Sequence, residues 1–266
     1  LLKIIREEGL HADAMSPGEI YLLLQAGFKP EEIFFVANNV SAEEMKYALD
    51  NGVLISCDSI SQLKQLGRLN PGGKAAIRFN PGVGAGHHEK VITGGKNTKF
   101  GVNIDLADEA EAVLKQYNLH LAGINQHIGS LFMEATPYIE GVKALLSIAE
   151  RFSDIEFVDM GGGFGIPYHK QDGQDRLDLM ETGQRLTEVL ESWTSAHNRK
   201  IMVKMEPGRY VVAECGVLLG TVHAVKNNAS KTYVGTDIGF NVLVRPVMYD
   251  SHHDIEVYRN DEVLKS

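Results

Sequence analysis

The order in which strand-like and helix-like segments follow one another constrains this chain more than any other feature. Seven short runs, "HADAM", "EIFFVAN", "VLISCD", "AAIRFN", "AGINQHIG", "FVDMGG" and "IMVKMEP", are rich in apolar and β-branched residues. Between them lie segments with apolar residues at helical spacing, among them "SPGEIYLLLQAG", "SAEEMKYALDNG", "SISQLKQLGRL", "DEAEAVLKQY", "YIEGVKALLSIAERF" and "RLTEVLESWTSAH". Such alternation predicts βα units and a parallel sheet. Several runs are apolar throughout, as strands are when helices cover one side and packed side chains fill the other. A closed (β/α)8 barrel needs eight strands. The chain opens on "LLKIIREEGLH", which reads as an amphipathic helix with no cap ahead of it. The expected fold over residues 1–208 is therefore a TIM-type (β/α)8 barrel lacking its first strand in this chain. A doubly wound open sheet is the rival.

After Gly208 the pattern changes. "YVVAECGVLLGTVHAVKNN", "KTYVGTDIG" and "DIEVYRND" are β-rich with turn signals and no helical period. Residues 209–266 are expected to form part of a second, all-β domain, cut short.

With 266 residues, 44% of them hydrophobic, the chain can bury a substantial core. A net charge of -9, with both signs interspersed, argues against a nucleic-acid partner, whose phosphates demand a basic face. No run reaches the roughly 18 apolar residues that span a bilayer, so no membrane association is expected. A small molecule is the better ligand. Cys57 and Cys215 are far apart and in no C-x-x-C pattern, which points away from a disulfide framework or zinc site and toward reduced, cytoplasmic surroundings. His87 and His88, like His252, His253 and Asp254, superficially resemble metal ligands. Neighbours on a strand point to opposite faces, so no metal is expected.

In a βα barrel the site lies at the C-terminal ends of the strands, and the suggestive residues fall there. Arg78 ends the fourth run, His127 and Ser130 the fifth, Asp159 to Gly163 the sixth, and Glu206 to Arg209 the seventh. Gly161, Gly162 and Gly163 bring bare backbone where N–H groups can approach a phosphate. Gly208 and Arg209 add a charged fork for the same anion, and Ser130 a hydroxyl. His127 is an aromatic plate and Glu206 a carboxylate, the two partners a protonated pyridine ring needs. Taken singly, each has a plain structural reading: a tight turn, a strand exit, a core histidine, an acid at a strand end.

In combination they are more telling. "TKFG", "HIGS", "DMGGGFG" and "EPGR", in that order, resemble the alanine-racemase-like (fold-type III) pyridoxal-phosphate decarboxylases. The later "DIGFNVLVRPVMY" resembles their diaminopimelate decarboxylase branch. The resemblance implies an eight-fold βα barrel followed by a β domain, with pyridoxal 5'-phosphate as cofactor. It implies that His127 stacks on the ring, that Glu206 binds its nitrogen, and that Ser130, Gly162, Gly163, Gly208 and Arg209 surround the phosphate and neighbouring substrate atoms. Asp13, Glu19 and Arg78 match charged residues near the cofactor. Arg245 and Tyr249 match a pair that contacts a substrate carboxylate, with Arg209 beside them, which favours an amino acid carrying a second carboxylate. Ornithine, arginine and carboxynorspermidine decarboxylases are the alternatives, as is a non-catalytic relative that binds a partner.

Two departures bear on the substrate: Asp250, Ser251, His252 and His253 replace a Gly-x-Tyr-His run, and Val242 stands where an acid is common. The resemblance also implies parts expected to be missing from this sequence. The lysine that tethers the cofactor belongs to the first barrel strand, and a Cys-Glu pair, its cysteine the proton donor, comes from the partner of a homodimer. Lys3 and Lys99 match other positions, Lys204 reads as an ordinary strand lysine, and Cys215 lies too early. No catalytic residue is therefore assigned, and the chain is expected to be inactive alone.

Overall fold

The structure, a computed structural model, describes residues 1–82, 85–86, 98–259 and 262–264. His87 and His88 lie outside the described residues. In chain order the elements are α1 (Leu2–Glu7), β1 (Ala12–Ala14), α2 (Pro17–Gln25), β2 (Ile33–Phe35), α3 (Ala42–Asp50), β3 (Leu54–Cys57), α4 (Ile60–Leu69) and β4 (Lys74–Asn80). They continue with β5 (Ala85–Gly86), β6 (Val102–Asn103), α5 (Ala107–Gln116), β7 (His120–Asn125), β8 (Gly129–Ser130), α6 (Ala135–Ala149), β9 (Phe157–Gly162), α7 (Leu179–His197) and β10 (Met202–Glu206).

All seven expected strands form, and they join in the order β1-β2-β3-β4-β7-β9-β10, every neighbour parallel. A doubly wound sheet reverses its order at a switch point. This one never reverses, so it is the nearly closed wall of a TIM-like barrel.

Local chemistry sets the units. Ser16, Ser41 and Ser59 each follow a strand by a short loop and accept the backbone N–H three residues on, which starts α2, α3 and α4 on the outside of the wall. Glu44 completes a capping box by accepting the Ser41 N–H at 2.8 Å. Glu19 does the same kind of work, accepting from Met15 N–H at 2.6 Å.

The period of two along each strand separates two layers. Outward residues such as Ile33, Phe35, Ile55, Ile77, Phe79, Ile124 and Val158 join the large core shared with the helices. Phe34, Val36, Ala76, Ala122 and Phe157 form a separate small cluster inside the wall. Farther along the same inward rows the residues turn polar: Ser56, Asp58, Arg78, Asn125 and Asp159 are all buried. An apolar plug thus fills one end of the barrel and leaves a polar chamber at the end where the strands finish.

Beyond β10, where part of an all-β domain is expected, two short helices stand among the strands. Gly208–Val212 forms a helix (α8), followed by a 3-10 turn over Ala213–Cys215. Two antiparallel hairpins follow, β11 (Val222–Asn228) with β12 (Lys231–Thr236) and β13 (Val257–Arg259) with β14 (Glu262–Leu264). Between them Arg245–Tyr249 is a helix (α9), so Arg245 and Tyr249 stand on a helical turn and not on a strand. Pro246 explains it, because a proline fixes φ at a value suited to a first helical turn and cannot donate to a sheet ladder. One turn is too short to show a helical period. His252 and His253 are likewise on no strand: His252 stacks on His169 at 4.0 Å, and His253 meets Tyr168 edge-on at 5.4 Å.

No helix among the described residues is long and apolar enough to cross a membrane. Among them no group of three or more His, Cys, Asp or Glu side chains is placed to hold a metal ion.

Candidate functional site

The polar chamber gathers side chains from six strands. Asp13 on β1 opposes β2; Asp58 follows β3; Arg78 lies on β4; His127 follows β7; Asp159 lies on β9; Lys204 and Glu206 lie on β10. Lys204 and Asp159 are register partners on adjacent strands. The inward rows of a parallel wall bring these seven groups together, although they are spread over almost two hundred positions of the chain.

The glycine run forms the wall between β7 and β10. Gly161 and Gly163 have φ of +71° and +98°, a region that disfavours any side chain. A Cβ on Gly162 would lie 1.9 Å from the Glu206 carbonyl oxygen, and one on Gly163 would lie 2.4 Å from the Gly129 carbonyl oxygen. The run therefore packs backbone to backbone against the segments that carry Glu206 and Ser130. Asp159 Oδ1 accepts the Gly161 N–H at 2.9 Å, and His127 Nδ1 accepts the Gly162 N–H at 3.3 Å.

Charge in the chamber is unbalanced. Asp58 is answered by Arg78 at 3.9 Å and by the Gly101 N–H at 2.7 Å. That leaves Asp13, Asp159 and Glu206 with Lys204. Burial pushes the Asp159 carboxyl up to about 6, with Asp13 adding to the rise, while the Gly161 N–H and Lys204 oppose it. Burial also holds Glu206 well above the usual carboxylate range, helped by Asp159 and Asp13 and opposed by Arg78. Asp13 keeps solvent contact, yet the atoms packed around it and the Glu19 charge raise its carboxyl too. Burial, and after it Arg78, presses His127 down to about 4, so the imidazole is neutral at pH 7. Its Nδ1 stands 4.0 Å from Glu206 Oε2, while Glu206 Oε1 is buried without a hydrogen-bond partner among the described residues. Lys204 points inward, with Nζ 4.0 Å from the centre of the Phe157 ring, and burial lowers its pKa.

A second cluster centres on the loop between the glycines and α7, where the Tyr168 hydroxyl accepts from Arg245 Nη1 at 2.7 Å and from Arg209 Nη1 at 3.4 Å. Both guanidiniums lie over the Tyr168 ring, at 4.9 Å and 5.9 Å from its centre. Arg245 also donates to Ser251 Oγ at 3.2 Å.

Residues 1–213 match the family described as pyridoxal-dependent decarboxylase, pyridoxal binding domain. This chain belongs to that family. Its relatives include a diaminopimelate decarboxylase of Methanothermobacter thermautotrophicus, 41% identical over 264 residues, covering 97% of this chain and 61% of the relative. The diaminopimelate decarboxylase of Escherichia coli K12 is 33% identical, covering 98% of this chain and 63% of that protein. Among solved structures, the diaminopimelate decarboxylase of Helicobacter pylori complexed with L-lysine superposes with a TM-score of 0.88 at 31% identity, covering 98% of this chain and 66% of that one. The chain thus spans somewhat more than three fifths of the length of these relatives.

The chamber suits the pyridoxal group for which the family is described. One Glu206 oxygen, Oε1, is buried without a partner among the described residues, the other, Oε2, lies 4.0 Å from the neutral His127 ring, and a run of glycines with no room for side chains closes one wall. An acid left unpaired in a negative chamber is stabilised by a cationic ring N–H. Of the residues singled out in the sequence, Asp13, Arg78, His127 and Glu206 share the chamber, Gly162 and Gly163 line it, and Ser130 adjoins Gly129, against which Gly163 packs. Arg209 and Arg245 meet at Tyr168. Glu19 caps α2 and reaches the chamber only through its charge on Asp13. Sequence reasoning missed Tyr168 and Asp58. Tyr168 stands in the "FGIPYH" continuation of the glycine run, and its buried neighbours Ile166 and Pro167 were the available signal that this loop is fixed.

Proposed function

We propose that the intact protein is a pyridoxal 5'-phosphate-dependent carbon–carbon lyase that decarboxylates meso-diaminopimelate to L-lysine. The observation that carries this reading is Glu206, half-buried beside a neutral His127 with one buried carboxylate oxygen unpartnered among the described residues. Pyridoxal phosphate, when bound, supplies an electron-accepting ring that takes up the electron pair left as a carboxylate departs as carbon dioxide. Glu206 would hold the ring nitrogen in its protonated form, and Arg78 limits how far the surrounding acids raise Glu206. His127 would offer a flat, uncharged face, held in orientation by the Gly162 N–H. Ser130, Gly162, Gly163, Gly208 and Arg209 would surround the phosphate and neighbouring substrate atoms, and Asp13 would add negative charge near Glu206.

Substrate choice rests on Arg245, with Arg209 and Tyr249. Among the described residues neither Arg245 nor Arg209 has an acid within salt-bridge distance, and a guanidinium fork fits a second carboxylate in two parallel hydrogen bonds. No tethering lysine or proton donor is assigned within this chain. Lys204 lies one layer below Glu206, over Phe157. For the intact protein the reading includes a division near residue 208 into cofactor-binding barrel and β domain, a homodimer, and a cytoplasmic location.

Supplying the intact protein with pyridoxal phosphate and meso-diaminopimelate should yield carbon dioxide and lysine in equal amounts. Faster turnover of ornithine would overturn the Arg245 assignment, and no product from any amino acid would overturn the lyase reading.

A further inference from the structure

Two cations that share one neutral acceptor call for an explanation. Guanidiniums repel one another, and a protein that holds two together usually places an acid between them. Here the acceptor is the Tyr168 hydroxyl, at 2.7 Å from Arg245 and 3.4 Å from Arg209. The ring also attracts both charges through its face.

Tyr168 is held from its own side. Gln174 Oε1 accepts both the Tyr168 and the His169 backbone N–H, each at 2.9 Å, and His253 packs edge-on against the ring at 5.4 Å. The phenol is therefore the fixed point and the long arginine side chains are the adjustable parts. One arginine comes from α8, just after β10, and the other from α9, and the loop that carries Tyr168 is tied to both neighbourhoods by Arg176 to Glu214 and by Lys170 and Gln171 N–H to Asp254.

We propose that Tyr168 is a positioning residue for substrate choice: it sets Arg245 beside Arg209 as one two-pronged receptor for the carboxylate at the far end of the substrate. This rests on the reading of Arg245 given above and adds the residue that fixes the receptor's geometry. The class of ligand selected is an α,ω-dicarboxylate, because a single ammonium group at that end would meet two cations. A phenol suits the task better than an acid would, since a carboxylate at position 168 would neutralise both prongs before any ligand arrived.

The test uses the intact, cofactor-loaded protein and two unreactive probes, pimelate with two carboxylates and hexanamide with none, measured by calorimetry. Tyr168→Phe keeps the ring, its packing on His253 and both cation–ring contacts, and removes only the hydroxyl. It should weaken pimelate binding about tenfold and hexanamide binding less than twofold. Equal loss for both probes, or no loss for pimelate, would overturn the role of Tyr168. Arg245→Gln separates the two ideas. If it abolishes the preference for pimelate while Tyr168→Phe does not alter it, Arg245 reads the carboxylate without help from Tyr168. If Arg245→Gln leaves pimelate binding unchanged, the Arg245 reading itself fails, and the proposal with it. Unchanged thermal unfolding of Tyr168→Phe shows that any lost affinity comes from the receptor and not from misfolding.

Discussion

Asp159→Asn should make the chain more stable at neutral pH, although it removes one member of a buried charge pair. Asp159 is 2% exposed, and its carboxyl is raised from 3.8 to about 6. An acid raised on folding contributes stability that is complete below 3.8 and is lost as pH climbs through 6, because over that range the native state holds a proton the unfolded chain has released. A rise of this size corresponds to about 3 kcal/mol at pH 7.5. Asparagine never pays that cost and keeps a carbonyl oxygen for the Gly161 N–H. The attraction to Lys204 is already contained in that rise, since it opposes the burial that causes it. The net expectation is a gain of about 3 kcal/mol at pH 7.5, falling to roughly half of that at pH 5, where wild-type Asp159 is largely protonated in the folded chain. Urea unfolding at the two pH values measures both numbers. A variant less stable than wild type at pH 7.5, or a gain that does not change with pH, would refute the picture of an overcharged chamber.

Three other outcomes follow from named contacts. Gly162→Ala sets a Cβ 1.9 Å from the Glu206 carbonyl, backbone against backbone, so β9 and β10 must part; a loss of about 3 kcal/mol is expected in thermal or urea unfolding. Gly208→Ala, with nothing within 4 Å of the new atom, should cost far less. Arg78→Gln leaves Asp58 buried with the Gly101 N–H and the more distant charge of Lys99, and should cost about 3 kcal/mol in the same assay. The His127 ring, held near 4, should show flat NMR shifts from pH 8 to 5.5, and an inflection near 6.5 would contradict its burial beside Arg78.

Much of this arrangement could be read from the sequence because it depends on periods. The seven strands announce themselves as apolar runs between segments of helical period, and parity along "IMVKMEP" places Lys204 and Glu206 on one face, as found. The glycine run and "EPGR" mark strand ends without revealing what they touch. The chamber's imbalance was less legible: it depends on which acids share the interior, and Asp58 looks in sequence like any residue before a helix cap. Tyr168 was hidden for another reason. Its partners lie 41 and 77 positions away and converge only once the loop after the glycines folds back. The helix over Arg245–Tyr249 was missed because one proline-started turn carries no period.

The central claim is that the chamber between His127 and Glu206 receives the ring of pyridoxal phosphate. A crystal structure of the chain soaked in pyridoxal phosphate tests it most directly. The account expects the ring against His127 with Glu206 at its nitrogen, and the phosphate beside Gly162, Gly163, Ser130 and Arg209. Ring density outside that chamber, or a phosphate remote from the glycine run, would contradict it.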